Sequence, residues 1–169
     1  MVMANNPLTK LILDNSPLLK VQDKPDINPV AILVALAVCE SDYGVNIKPR
    51  YEPTYSLGGK TFLQGGDLYL KIWDIYDKDM PYSYGAFQVM LPVAYELGFR
   101  GTVEQLAQLE ININWAIHYV NKRILKRGAY YPEQIADGYN SGSFKDKFKP
   151  VDYILKFMVA YKDYEGYLV

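Results

Sequence analysis

Apolar residues run without a break from Val30 to Cys39, and the chain then turns polar through Glu40-Ser41-Asp42-Tyr43-Gly44. A segment apolar on every side predicts a helix packed on every side. Both ends carry stop and start signals: Asn28 can cap it, Pro29 suits the first helical position, and Gly44 suits a left-handed stop. A shorter helix is predicted near Leu8–Leu13, before a polar turn through Asp23-Lys24-Pro25-Asp26. Further on, Leu91–Leu97 reads as a helix stopped by Gly98, and Thr102 can cap a helix over 103–106. The stretch 110–126 sets Ile113, Ile117, Val120 and Ile124 on one helical face. One more helix starts at Tyr131-Pro132, and the last runs from Pro150 to Tyr161. The fold class is therefore mainly α.

One stretch departs from this rhythm. From about residue 48 to about residue 80 the chain is rich in Tyr and Gly, with Arg50-Tyr51-Glu52-Pro53, Gly58-Gly59, Gly65-Gly66 and Trp73. It reads as an inserted loop or small hairpin lobe over a cleft, since long insertions in compact domains tend to be functional. The glycine pairs would supply its turns. Tyr51, Tyr55, Phe62, Tyr69 and Trp73 would supply aromatic faces of the kind that pack on sugar rings. A structural elaboration that touches no substrate is the competing reading of the same stretch.

Composition narrows the classes. With 169 residues, half of them hydrophobic and 22% charged, the chain is expected to form one soluble domain with a full core. The formal net charge of −1 gives no electrostatic footprint for nucleic acid. Cys39 stands alone, so no intrachain disulfide forms, and its apolar setting suits a buried side chain. No apolar run reaches the length of a membrane span, and residues 1–7 lack the pattern of a secretory signal. The Asp77-Lys78-Asp79 run lacks the further ligands and glycine of a calcium loop, and His118 has no second ligand at helical spacing. No metal and no cofactor is expected.

The candidate chemistry begins at Glu40. A carboxyl joined to so apolar a helix should sit where the core opens onto a cleft. Lost hydration there favours the neutral, proton-donating form, and the negative end of the helix dipole adds to this. Taken alone, an exposed helix-end glutamate is the simpler reading. Three downstream segments change that balance: Tyr82-Ser83-Tyr84-Gly85-Ala86-Phe87-Gln88, then Leu109-Glu110-Ile111-Asn112-Ile113 leading to Tyr119, then Ala136-Asp137-Gly138-Tyr139-Asn140-Ser141-Gly142.

Together with Glu40-Ser41, these segments resemble the soluble lytic transglycosylases, which share the lysozyme-like fold with goose-type lysozymes. That family has a Glu-Ser pair ending a buried helix, then Gly-Leu-Met-Gln, then Asn-Ile opening a helix, then Ala-Tyr-Asn. Gly85-Ala86-Phe87-Gln88, Asn112-Ile113 and Gly138-Tyr139-Asn140 take the last three places, and the resemblance covers roughly residues 29–160. Phe87 stands where the family usually has Met, Gly138 where it usually has Ala, and the stretch between Glu40 and Gln88 is much longer than usual. Goose-type lysozymes place an aspartate two residues after the motif glutamine, where this chain has Met90, which cannot activate water.

The resemblance implies a lysozyme-like fold and a peptidoglycan partner, with Glu40 as single acid and base. Tyr139 would hold the Glu40 carboxyl through its phenol, or else be a core residue with a wet tip. Gln88 and Asn140 would bind glycan or position the loop. Phe87 would lie at the sugar site, and Ser41 would either lie there or serve as a local backbone partner at the helix end. A hydrolytic muramidase of the same fold is the first alternative, with Asp67 or Glu52 delivered by the insertion as second carboxylate. A non-catalytic glycan-binding or virion structural protein is the alternative from another class, favoured if Phe87 blocks the subsite. Such an enzyme, made without a secretory signal, would reach the wall by phage-type release or as part of a virion. No feature of the chain sets its oligomeric state.

Overall fold

The computed structural model describes residues 6–143 and 151–168, apart from 22 and 25. At its centre lies α2 (Pro29–Ser41), whose residues Ala31 to Ala37 are all fully buried. Asn28 caps it, its side-chain oxygen accepting from the backbone N–H groups of Val30 and Ala31 at 2.9 and 3.2 Å. The stop comes earlier than Gly44. Asp42, Tyr43 and Gly44 all take left-handed conformations, with φ of 50°, 61° and 82°, and the N–H of Tyr43 returns to the carbonyl of Ala37 at 3.0 Å. Tyr43 tolerates this backbone because its ring is buried and its hydroxyl meets Thr9 at 3.0 Å.

Around α2 pack α1 (Pro7–Asn15), α6 (Leu109–Tyr119), α7 (Pro132–Ser141) and α8 (Val151–Lys162). The face 113, 117, 120, 124 is buried as its spacing requires, although the helix is regular only to Tyr119 and continues as a π turn and a 3-10 turn to Gly128. Short α4 (Leu91–Glu96) and α5 (Val103–Ala107) complete the helical set, and Thr102 closes a capping box with Gln105 at the start of α5. Pro150, the expected first residue of the last helix, lies outside the described residues. Among the described residues no helix is long and apolar enough to cross a membrane.

A small antiparallel sheet stands beside the helices in the order β1 (Arg50–Tyr51), β2 (Tyr82–Tyr84), β3 (Val89–Met90). Arg50 pairs with Ser83, and Ser83 with Met90. Between β1 and β2 the expected loop or hairpin lobe is instead helical: α3 (Lys60–Tyr76) fills most of it. Gly58 does make a turn, but Gly65-Gly66 does not. The helix kinks at Gly66, with φ 53° and ψ −137°, and passes on. Gly65 is there for contact, because a Cβ would lie 2.2 Å from the ring of Tyr69. Phe62, Tyr69, Ile72 and Met80 then close a second, smaller core against Tyr95 of α4. The glycine pair masked a helical apolar period that these residues carry.

Candidate active-site cleft

The turn Gly85–Gln88 between β2 and β3 gathers the sequence segments singled out above. Every carbonyl from Tyr84 to Phe87 accepts a hydrogen bond from a side chain. Asn112 Nδ2 donates to Tyr84 at 2.7 Å, Gln88 Nε2 to Gly85 at 2.9 Å, Ser41 Oγ to Ala86 at 2.6 Å, and the Tyr139 hydroxyl to Phe87 at 2.8 Å. Asn112 also accepts from the N–H of Phe87 at 2.8 Å and donates to Leu106 at 2.9 Å, itself fully buried. Only glycine fits at position 85: φ is 76°, and a Cβ would sit 2.5 Å from the Asn112 side chain. The turn thus locks the ends of α2, α6 and α7 into one unit.

Over this unit opens a cleft of about 320 Å³. Glu40 enters from the last turn of α2, Arg50 and Glu52 from β1 and the residue after it, Tyr55 from the lobe, Met90 from β3, and Tyr119, Tyr139 and Asn140 from the far wall. Among the described residues no group of three or more His, Cys, Asp or Glu side chains could hold a metal. His118 lies away from this cleft, its ring against Trp115.

The Glu40 side chain is only 8% exposed, and both of its oxygens have partners. Tyr153 of α8 donates its hydroxyl to Oε1 at 2.6 Å. Arg50 Nη2 donates to Oε2 at 2.5 Å. Burial pushes the Glu40 carboxyl above the ordinary range; the Tyr153 hydrogen bond and the Arg50 charge pull the other way, and Glu52 adds to the upward push. Burial also raises the phenols of Tyr139 and Tyr153 well above the usual value, with the charge of Glu40 next, so both remain hydrogen-bond donors. Burial pushes the Cys39 thiol up to about 12, which disfavours its thiolate.

This arrangement corrects several expectations. Tyr153 holds Glu40; Tyr139 faces the cleft but gives its hydroxyl to the Phe87 carbonyl. The packing of α8 beside α2 places the Tyr153 hydroxyl on the carboxyl, while the Tyr139 hydroxyl is taken up by the Phe87 carbonyl. Phe87 is fully buried and meets the site only through its backbone, so its side chain neither binds nor blocks a ligand. Ser41, 2% exposed, has its hydroxyl committed to the carbonyls of Ala37 and Ala86, which makes it a clamp rather than a sugar contact. Gln88 lines the cleft in a left-handed conformation, φ 44°. Its amide is occupied within the protein, donating to Gly85 and Lys48 and accepting from Ser83 at 2.7 Å. Asn140 is exposed at the rim.

Of the lobe aromatics, Tyr55 reaches the cleft, Phe62, Tyr69 and Trp73 pack together in the smaller core, and Tyr51 lies against Tyr82. Asp67 is exposed on α3 and does not line the cleft, whereas Glu52 does. Sequence reasoning gave no role to Tyr153 or Arg50. The motif segments carry no signal for the first, and the second was visible only as part of an aromatic insertion. Comparison of the chain with protein-family models, with curated proteins and with solved structures gives no match in any of the three.

Proposed function

We propose that this protein is a peptidoglycan lytic transglycosylase of lysozyme-like fold, with Glu40 as its acid and base. One observation carries the reading: a buried carboxyl at the end of a core helix, its pKa raised by burial, opens onto a cleft whose floor is built from the motif segments. The Glu40 proton passes to the glycosidic oxygen between N-acetylmuramic acid and N-acetylglucosamine, and the bond from that oxygen to the anomeric carbon breaks. The 6-hydroxyl oxygen of the same muramic residue then bonds to the anomeric carbon and returns its proton to Glu40. A 1,6-anhydro end forms, no water is consumed, and the carboxyl is restored. Tyr153 fixes one carboxyl oxygen while the other works. Met90 lines the cleft and gives no second carboxylate there.

Glu52 favours a second reading, since a further carboxylate in the cleft could activate water and make the enzyme a muramidase. Mass spectrometry of digested peptidoglycan separates the two. Anhydro-muramic ends, retained in Glu52→Gln, support the transglycosylase. Reducing ends that take up labelled oxygen from water, and are lost in Glu52→Gln, support hydrolysis. Intact glycan, whether bound or not, would remove both and leave a non-catalytic protein.

A further inference from the structure

The pair between Glu40 and Arg50 is lopsided. The carboxylate is held in place: its side chain is only 8% exposed at the end of a core helix, and Tyr153 donates to one of its oxygens at 2.6 Å. The guanidinium can move. Its side chain is 49% exposed on a two-residue strand at the edge of the sheet, and apart from Glu40 its side-chain partner is a long contact from Nε to Gln88 Oε1 at 3.4 Å. A guanidinium has five donors in a planar fork suited to carboxylates, and this one stands in an open cleft.

The pair also obstructs the chemistry proposed above, because Arg50 occupies the Oε2 atom that must carry the proton and favours its ionised form. The remaining titratable and charged groups around Glu40 do not provide release. Tyr153 of α8 donates to the other oxygen, and Tyr139 of α7 is engaged with Phe87. Glu52 carries like charge, Cys39 is half-buried beside Glu40, and Lys156 of α8 pairs with Asp42 at 3.0 Å. Among the described residues around Glu40, Arg50 alone is both charged opposite to it and largely exposed.

We propose that Arg50 is an exchangeable counter-ion that leaves Glu40 for a carboxylate on the muramic acid residue of the bound glycan, so that substrate binding itself frees Glu40 to take up its proton. This rests on the peptidoglycan reading. The anion is the lactyl carboxylate of stem-free glycan or a carboxylate of an attached stem peptide. The ledger balances: the substrate carboxylate takes over the guanidinium, and Glu40 gains one proton from solvent. A neutral glycan without carboxylates would leave the pair closed, so Arg50 positions the acid and selects for muramic acid at the same time.

The test follows the Glu40 carboxyl by carbon NMR across pH in protein labelled at glutamate, with Glu40→Gln identifying the signal. Three probes are added: the N-acetylglucosamine–N-acetylmuramic acid disaccharide, the same disaccharide bearing its stem peptide, and chitobiose. The disaccharide should move the Glu40 titration to higher pH if the lactyl group is the anion, and only the stem-bearing form should do so if the peptide supplies it. Chitobiose should leave it unmoved. Arg50→Leu should already titrate higher without ligand, respond to none of the three, and bind the effective probe on the order of 10-fold more weakly. A Glu40 titration unmoved by both anionic probes, an equal response to chitobiose, or unchanged affinity in Arg50→Leu overturns the exchange. No turnover is needed, so anhydro products formed by a protein whose Glu40 ignores these ligands would sink the exchange and spare the transglycosylase reading.

Discussion

The central helix and the inserted lobe meet at one cleft but are built by different rules. Residues Ala31–Ala37 of α2 are enclosed without gap, and the turn beside them is held by side chains from α2, α6 and α7. The lobe closes only a five-residue core of Phe62, Tyr69, Ile72, Met80 and Tyr95, and leaves Leu57, Leu63, Leu70 and Ile75 exposed. Side-chain hydrogen bonds tie it to the body: Tyr69 donates to Glu96 at 2.7 Å, Tyr76 to Gly101 at 2.8 Å, and Tyr84 of the sheet to Asp79 at 2.8 Å. Glu40 thus stands on the densely packed part, where position and desolvation are fixed. Arg50, Glu52 and Tyr55, which would meet the substrate, stand on or beside the sparsely packed part, where local opening is easier.

The largest expected effect breaks the packed side chemically. Glu40→Gln keeps the shape and loses the proton, so cleavage should fall by about 10²- to 10⁴-fold. Stability should move the other way. Folding raises the Glu40 pKa, so its contribution to stability is full below the unfolded-state value and is lost as pH rises through the folded-state value. At neutral pH the variant should therefore melt above the wild type, and the gap should close as the pH falls. A variant that melts lower at neutral pH would show that Arg50 and Tyr153 outweigh burial.

Next in size is Asn112→Ala, which strands the carbonyls of Tyr84 and Leu106 and the N–H of Phe87. A loss of about 4 kcal/mol is expected from three buried unsatisfied groups, read as a lower denaturant midpoint with unchanged slope. Phe62→Ala in the lobe should cost about 3 kcal/mol, at the low end for such truncations because the small cluster can collapse. Hydrogen exchange should localise that loss to α3 and leave α2 protected; equal loss in both would mean that lobe and body unfold as one. The smallest is Tyr153→Phe, about 10-fold in kcat for one hydrogen bond to a charged group. Its alkaline limb should shift to higher pH, since the phenol lowers the Glu40 pKa.

The same contrast explains what the sequence disclosed. The caps at Asn28 and Thr102, the run through α2 and the face 113–124 are local patterns, and local patterns survive in the fold. Glu40 was legible because its place at the end of an apolar helix is joined by three downstream segments in order along the chain; alone, it reads as an ordinary exposed helix-end glutamate. Tyr153 was not, since its contact depends on how α8 packs against α2 across more than a hundred residues of chain. The helix α3 was hidden by Gly65-Gly66, which reads locally as a turn and is overruled by the burial of Phe62, Tyr69 and Ile72. For Ser41 the sequence left a sugar contact and a local backbone partner both open, and the fold takes the second. Phe87 was assigned to the sugar because sequence cannot tell a residue buried under a site from one that lines it.

The most direct test of the account is a side-by-side digestion of purified peptidoglycan by the wild type and Glu40→Gln, each first confirmed as folded by thermal melting, with released fragments identified by mass. Anhydro-muramic fragments from the wild type and almost none from the folded variant are the predicted result. Fragment release by folded Glu40→Gln at a rate comparable to the wild type would contradict it.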